Sequence, residues 1–315
     1  MPDISFHIGL YKTASTYLQN AVFPQSGGLG RGSPHNQNDI LARVKKSFLY
    51  CSPGVWRESH GLMLSEDIKN SSPNSTHILY SDEAIYAARI FGNDARASLA
   101  AGEPYHLAEH FHQFKKHAWK DRGRVRVFFY VRNQADWLGS LYVQLSNRII
   151  GASQSDFEEH IDRLVDQPSA YGGNVARFDD LTSALQEALG PDNVLPLLYE
   201  RLHDECTWEK IRQFTGISGL GSSSLQGTGK DYKVRQRIPG NWPIRPYGEG
   251  LKARTPSEFL YKYLYRVLAG NRSLQMTGEL RTKLQACYLD SNRNFEKLSG
   301  LSLAADDLQY YPSQE

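Results

Sequence analysis

The fold of this chain is decided by the stretch His7-Ile8-Gly9-Leu10-Tyr11-Lys12-Thr13-Ala14-Ser15-Thr16-Tyr17-Leu18-Gln19. Residues 4–8 alternate apolar and polar side chains, and this alternation predicts a β-strand. The chain turns at Gly9, and we predict a helix that begins near Ser15. The stretch therefore predicts a strand, a tight loop and a helix N-terminus in direct succession.

A loop that leads from a strand into a helix N-terminus is suited to binding an anion. Free backbone N–H groups point outward there, and the helix dipole favours negative charge. Lys12 adds a cation, and Thr13, Ser15 and Thr16 add hydroxyl donors. The stretch is not a Walker A loop, because Lys12 follows the single Gly9 by three residues instead of directly following a second glycine. The alternative is an ordinary capped helix.

The composition is that of a globular protein with a full core. The chain has 315 residues, of which 40% are hydrophobic and 22% are charged. The formal net charge of +2 provides no general attraction to nucleic acid or to an anionic membrane, so we expect neither partner. Since no apolar run approaches about 18 residues, we expect no membrane span.

The cysteines and the N-terminus bear on the compartment. Cys51, Cys206 and Cys287 are far apart and odd in number, a pattern that fits neither a disulfide framework nor a zinc site. This usage favours a reducing compartment. The first residues lack the basic and apolar regions of a secretory signal. We therefore expect a cytoplasmic protein.

Strands and helices alternate along the chain. We predict three more strands over residues 77–80, 125–131 and 194–199. The second is nearly continuous in β-branched and aromatic residues, which is typical of a strand covered on both faces. Pro196 favours an edge position or a local break for the third.

Helical spacing of apolar residues predicts helices over residues 39–51, 104–119, 134–150, 174–189 and 279–298. Another helix begins at Thr255-Pro256-Ser257-Glu258. We predict that residues 52–76 are irregular and that residues 216–250 form a long turn-rich loop with a basic part. The alternation predicts one α/β domain over residues 1–315, with a central parallel sheet flanked by helices and a helical C-terminal part at 255–300.

A second motif follows the predicted strand at 125–131 and has the sequence Arg132-Asn133-Gln134-Ala135-Asp136-Trp137-Leu138-Gly139-Ser140-Leu141-Tyr142. Asn133 is the predicted N-cap of a helix. Arg132 at the strand end and Ser140 two turns into the helix can converge on one phosphate. Ligands bind beyond the carboxyl ends of strands in open α/β sheets, which suits this position. The alternative is that both residues have only structural roles.

The two motifs resemble those of sulfotransferases that use 3′-phosphoadenosine 5′-phosphosulfate (PAPS). The family's 5′-phosphosulfate loop is roughly Pro-Lys-[Ser/Thr]-Gly-[Ser/Thr]-Thr, and this chain has Tyr11 and Ala14 at the Pro and Gly positions. The 3′-phosphate motif is roughly Arg-x-Pro-x-Asp-x-x-x-Ser-x-Tyr, and here Gln134 replaces Pro. A glycine at such a position can mark a positive φ, but we expect the Ala14 methyl group to be tolerated. We also expect Gln134 to matter little.

Further elements resemble the bacterial carbohydrate-type branch of that family, which includes heparan- and nodulation-type enzymes. They are Tyr80-Ser81-Asp82-Glu83-Ala84, Tyr199-Glu200-Arg201-Leu202 and Ser291-Asn292-Arg293-Asn294-Phe295. The resemblance runs nearly from end to end and is specific only at the two phosphate motifs. It implies a P-loop-like three-layer fold.

The resemblance also implies a donor site. PAPS would be the co-substrate and adenosine 3′,5′-bisphosphate the product, with a hydroxyl acceptor, favoured to be a carbohydrate, and no metal. The implied nucleotide ligands are Gly9, Lys12, Thr13, Ala14, Ser15, Thr16, Tyr17, Arg132 and Ser140. Tyr17 either borders the adenine or packs in the core. The basic residues Lys230, Lys233, Arg235 and Arg237 either close over the donor or form a solvated loop.

The implied transfer needs a group that stabilises the negative charge on the leaving phosphate and a base that takes the proton of the acceptor hydroxyl. Lys12 is the candidate for the first task and Glu83 for the second. Asp82 competes with Glu83, whose alternative role is that of an acid at a helix start.

Three histidines, His106, His110 and His112, form a possible cluster, since the first two share a helix face. No third ligand is evident, so a solvated helix face is favoured over a metal site or an acceptor base.

Two other functions remain open. One is a P-loop kinase-like nucleotide phosphotransferase, which the missing Walker A glycine and the lack of a clear Mg²⁺-binding acid disfavour. The other is a non-catalytic module that binds a nucleotide or a glycan.

Overall fold

The structure is a computed structural model that describes residues 2–23, 35–71, 74–86, 103–120, 123–169, 171–221, 240–249, 257, 259–260, 263–264 and 272–312. The candidate donor ligands Lys233 and Arg235 lie outside these ranges. So do the side chains of Thr16 and Glu83, whose backbones are described.

A parallel sheet of four strands forms the centre of the described part, in the order β2-β1-β3-β4. The strands are β1 Asp3–Ile8, β2 His77–Asp82, β3 Val125–Val131 and β4 Val194–Leu198. The predicted α/β fold with a central parallel sheet is confirmed, and each predicted strand is present. Pro196 lies on β4 at the edge of this sheet, as predicted.

Helices connect the strands and flank the sheet. They are α1 Ser15–Tyr17, α2 His35–Tyr50, α3 Ser59–Asn70, α4 Pro104–Gln113, α5 Gln134–Leu145, α6 Gln154–Asp166, α7 Phe178–Leu189, α8 Glu205–Thr215, α9 Gly278–Cys287 and α10 Leu289–Ser299. Two π-helical segments, Leu18–Val22 and Phe114–Trp119, continue α1 and α4. Short 3₁₀ helices are Pro53–Arg57, Glu83–Tyr86, Ser146–Arg148, Gly173–Ala176, Pro191–Asn193, Tyr199–Arg201 and Asp306–Leu308. No helix in the described ranges has the length and apolar character needed to cross a membrane.

Apolar side chains cover both faces of the sheet. On one face, Phe6 of β1 joins the larger core cluster, which includes side chains of α2 to α7. On the other face, Phe128 and Tyr130 of β3 join a smaller cluster with Trp208 and Ile211 of α8. All seven residues of β3 are buried, so the prediction of a strand covered on both faces is confirmed. Burying each large apolar side chain stabilises the fold by roughly 1.5–3 kcal/mol.

The prediction that residues 52–76 are irregular is wrong, because α3 and a 3₁₀ helix occupy most of this stretch. Pro53 begins the 3₁₀ helix, where its missing N–H costs nothing. Gly61 permits the close approach of α3, since a Cβ there would lie 2.6 Å from the carbonyl oxygen of Val55. The turn-forming residues that suggested a loop therefore serve helix starts and helix contacts.

The C-terminal part also differs from the prediction. The single helix expected over 279–298 is divided into α9 and α10 at Tyr288, whose buried hydroxyl donates to the Gly173 carbonyl at 3.1 Å. A second sheet, with antiparallel strands β5 Asn241–Pro243 and β6 Ser273–Gln275, was not predicted. Strands of three residues are too short to show a period. Trp242 of β5 packs against Gly139 of α5, where a Cβ would lie 2.5 Å from the ring.

Gln134 has a larger role than the sequence suggested. Its side chain is buried at the start of α5, and Nε2 donates to Oδ1 of Asn292 at 2.7 Å and to the Ala176 carbonyl at 3.4 Å. Asn292 in turn donates to the Tyr310 carbonyl at 3.2 Å. Gln134 therefore links α5 to α10 inside the core.

We expect Gln134→Ala to lower the free energy of unfolding by roughly 1–3 kcal/mol, because it leaves the buried Asn292 acceptor without this donor. Urea denaturation measures this loss. Gln144→Ala is the control, since Gln144 lies half-buried on the same helix. Equal losses in the two variants would contradict the role given to Gln134.

Candidate functional site

The structure brings the two phosphate-type motifs together. β1 and β3 are neighbours in the sheet, so the loops that follow them lie side by side at its carboxyl edge. Nη1 of Arg132 donates to the Lys12 carbonyl at 3.3 Å, and Nε1 of Trp137 donates to the Tyr11 carbonyl at 2.6 Å. Two side chains of the second motif thus hold the backbone of the first.

The backbone of the first loop, residues 9–14, is left-handed at two residues that are not glycine. Lys12 has a φ of 69° and Ala14 a φ of 62°. For an L-residue this region costs roughly 1–2 kcal/mol. Ala14 occupies the N-cap of α1 and provides no capping side chain. The position at which the resembling family has glycine is therefore one that glycine would occupy without strain.

The hydroxyl groups of the loop differ in their roles. Thr13 is buried, and its hydroxyl donates to the Leu10 carbonyl at 2.6 Å, so in this structure it closes the turn. Ser15 is 2% exposed, and its hydroxyl has no hydrogen-bond partner among the described residues. A buried polar group without a partner is costly. Ser15 is therefore the described hydroxyl of the loop that is best placed for a ligand.

A buried polar network that the sequence analysis missed lies at the carboxyl end of β1. Nδ1 of His7 is 2.8 Å from the Ser81 hydroxyl, and Nε2 of Gln19 donates to the same hydroxyl at 3.3 Å. Burial lowers the pKa of His7 to about 3, so its imidazole is neutral at physiological pH. His7 thus joins β1 to β2 and to the helical segment after the loop. Tyr17 packs against the smaller core cluster, as its structural alternative proposed.

Arg132 lies in a defined setting at the end of β3. Its guanidinium carbon is 4.7 Å from the centre of the Tyr199 ring. Oε1 of the neighbouring Glu200 accepts from the Asn133 backbone N–H at 2.8 Å. Burial raises the pKa of Glu200, while the Asn133 N–H and the Arg132 charge lower it in part. Arg132 therefore has structural contacts to the loop carbonyl and to the Tyr199 ring.

The helix α5 begins as predicted. The Asn133 side chain accepts from the backbone N–H of Ala135 at 3.1 Å, so Asn133 is the N-cap. Ser140 is buried, and no hydrogen bond between its hydroxyl and another described residue is found. Asp136, four residues earlier and on the same helical face, forms an ion pair of 2.9 Å with Arg281 of α9. The sequence analysis did not identify Arg281.

The candidate bases lie at the end of β2, the neighbour of β1. Asp82 is paired in register with Ile8, the last residue of β1. Glu83 comes next and opens a one-turn 3₁₀ helix, so its backbone lies beside the start of the first loop. The Asp82 carboxylate is 3.6 Å from the Lys45 ammonium group. This ion pair engages Asp82 with α2.

The histidines of α4 do not form a solvated surface as a group. His110 is fully buried, its Nδ1 accepts from Nε1 of Trp56 at 3.0 Å, and its ring centre is 5.3 Å from that of Phe48. Burial, and to a lesser extent His106, lowers the pKa of His110 to about 4. The prediction of a solvated face is therefore wrong for His110. The described residues contain no group of three His, Cys, Asp or Glu side chains that could hold a metal ion.

Comparison with known proteins gives little. No protein-family model matches this sequence, and no curated protein is similar to it. Among solved structures, the chain is similar to the crystal structure of a sulfotransferase from Alicyclobacillus acidocaldarius, with 13% sequence identity and a TM-score of 0.49. The alignment covers 96% of this chain and 98% of that chain. A likeness at this level assigns no function to the chain.

We expect Ala14→Gly to raise the free energy of unfolding by up to about 1 kcal/mol. Relief of the left-handed strain, roughly 1–2 kcal/mol, outweighs the roughly 0.4–1 kcal/mol that a more flexible unfolded chain costs. Thermal or urea denaturation measures the change.

The control for this substitution is Ala42→Gly, in the exposed middle of α2, which we expect to lower stability by roughly 1 kcal/mol. If Ala14→Gly lowered stability as Ala42→Gly does, the result would contradict the left-handed conformation of Ala14.

Proposed function

We propose that this protein is a PAPS-dependent sulfotransferase that acts on an acceptor hydroxyl, favoured to be on a carbohydrate. The observation that supports the proposal most is the hydrogen bond from Arg132 to the Lys12 carbonyl. The loop that resembles the 5′-phosphosulfate loop thus lies next to the arginine that resembles the 3′-phosphate ligand, and this adjacency supports the proposal. A nucleotide with phosphates at both ends of its ribose needs two such anion sites next to each other.

The residues at the strand ends fit the two phosphates. The backbone of the loop, Lys12 and the Ser15 hydroxyl, which has no hydrogen-bond partner among the described residues, would hold the 5′-phosphosulfate. Arg132 and Ser140 would hold the 3′-phosphate, with a planar fork of donors from one and a hydroxyl from the other. The Thr13 hydroxyl has a smaller part, since it donates to the Leu10 carbonyl.

The chemistry is an in-line transfer. A bond forms between the acceptor oxygen and sulfur, and the bond between sulfur and the phosphate oxygen breaks. Lys12 would stabilise the charge that develops on the leaving phosphate. Glu83 would take the proton of the acceptor hydroxyl. Its place at the end of β2, beside the loop, supports this role.

The carbohydrate acceptor rests on the Ser81-Asp82-Glu83 element and on its resemblance to carbohydrate-type enzymes. We further propose that residues 1–315 form one domain and that Lys233 and Arg235 contribute to the donor site.

We expect adenosine 3′,5′-bisphosphate to bind more tightly than AMP, and Arg132→Ala to weaken bisphosphate binding by roughly 10- to 100-fold through loss of a charge-assisted hydrogen bond. Calorimetric titration measures both affinities. Arg132→Lys is the control for charge, since it keeps the cation and loses the planar fork. Equal affinities for AMP and the bisphosphate in the unmodified protein would refute the 3′-phosphate site.

We expect Glu83→Gln to reduce turnover with PAPS by roughly 10²–10⁴-fold and to leave bisphosphate affinity unchanged, because the amide cannot accept the proton.

We expect Lys12→Ala to lower turnover more than donor affinity, because the charge on the leaving phosphate develops in the transition state. Steady-state kinetics, with ATP and Mg²⁺ as the alternative donor, measure these effects.

Near-normal turnover in Glu83→Gln would contradict the role of Glu83 as the base, and Asp82→Asn would then be tested in the same way. Turnover with ATP alone would favour a phosphotransferase, and binding without any turnover would favour a non-catalytic module.

A further inference from the structure

One face of α5 has an arrangement of charge that the proposed 3′-phosphate site must accommodate. Asn133, Asp136 and Ser140 follow each other at spacings of three and four residues, so their side chains share a face of the helix. The Asp136 side chain is only 26% exposed. A partly buried carboxylate therefore lies one turn from Ser140, a proposed phosphate ligand.

An uncompensated carboxylate at this place would oppose phosphate binding. Like charges repel more strongly where water is partly excluded, and a phosphate monoester carries up to two negative charges at neutral pH. The Glu200 carboxyl group also lies near Arg132, and burial raises its pKa. A phosphate bound by Arg132 and Ser140 would therefore lie near the Asp136 carboxylate, so the subsite needs a second cation to compensate Asp136.

Arg281 provides that cation. Its Nη2 is 2.9 Å from Oδ1 of Asp136, and its Nη1 is 3.5 Å from Oδ1 of Asn133. The guanidinium thus spans the first two residues of the shared face and ends one turn before Ser140. Its side chain is 18% exposed, and its helix is fixed by the buried Leu280 and Leu284. The position of the cation is therefore set by the core.

We propose that Arg281 is a positioning residue of the 3′-phosphate subsite, which neutralises Asp136 so that the α5 face can accept a phosphate beside Ser140. The inference rests on the proposed function. Beyond that function, it assigns Arg281 a role in the preference of the site for nucleotides that have a 3′-phosphate. AMP has no phosphate at this subsite, so its affinity does not depend on Arg281.

The test measures calorimetric affinities for adenosine 3′,5′-bisphosphate and AMP in five proteins. They are the unmodified chain, Arg281→Ala, Asp136→Asn, the double variant Arg281→Ala/Asp136→Asn, and Arg212→Ala. Arg212 is the matched control, because its side chain is 21% exposed and ion-paired with Glu209 at 2.7 Å on α8. Arg281→Gln replaces Arg281→Ala where the alanine variant does not fold.

We expect Arg281→Ala to weaken bisphosphate binding by about tenfold or more, and AMP binding by less than about twofold, since it exposes the phosphate to the Asp136 charge. The double variant should recover bisphosphate affinity to within about threefold of the unmodified protein. Arg212→Ala should leave both affinities unchanged. The recovery separates charge compensation from a direct contact between Arg281 and the phosphate.

Equal losses for AMP and bisphosphate in Arg281→Ala would overturn the inference, and so would a double variant that does not recover. The failure of the proposed function is distinct: the unmodified protein would then bind AMP and the bisphosphate equally well.

Discussion

Two hydrogen bonds from the start of α5 to the first loop hold the candidate site together. Arg132 and Trp137 donate to the carbonyl oxygens of Lys12 and Tyr11. Because a trans peptide unit is planar, the N–H group that follows each carbonyl points away from these donors. The same contacts that join the two motifs thus direct loop N–H groups away from α5. The parallel pairing of β1 with β3 makes these contacts possible.

The loop is maintained against local preferences. Lys12 and Ala14 are left-handed, and the buried Ser15 hydroxyl has no partner in the described part of the chain. Each of these features raises the energy of the folded chain. The core on both sides offsets this cost through packed side chains and through the His7–Ser81–Gln19 network. Strain and unsatisfied groups concentrated in one loop are typical of a binding site, and here they coincide with the place that the sequence motif indicates.

Much of the fold could be predicted because its strands have clear patterns: β1 alternates apolar and polar side chains, and β3 is nearly continuous in β-branched and aromatic residues. β3 was placed with its observed bounds, and Pro196 correctly indicated the edge of the sheet. The misses have physical reasons. The turn-forming residues around α3 serve close helix packing, and β5 and β6 are too short to show a period. Contacts between distant parts of the chain determine where such helices and strands form, and local sequence patterns carry no information on these contacts.

In the candidate site, too, residues within local motifs could be predicted from the sequence, and residues that come from distant parts of the chain could not. Lys12, Ser15, Arg132 and Ser140 lie in local motifs, so the sequence could propose them through their resemblance to known phosphate motifs. The groups that set their environment come from far along the chain: Glu200 bonds to Asn133 across 67 positions and Arg281 to Asp136 across 145. At the start of α5, the Arg281 guanidinium and the Glu200 carboxyl group therefore come from distant parts of the chain to lie beside Asp136 and Asn133. In the proposed 3′-phosphate site, selectivity would therefore depend on where these distant groups direct the donors, as well as on charge.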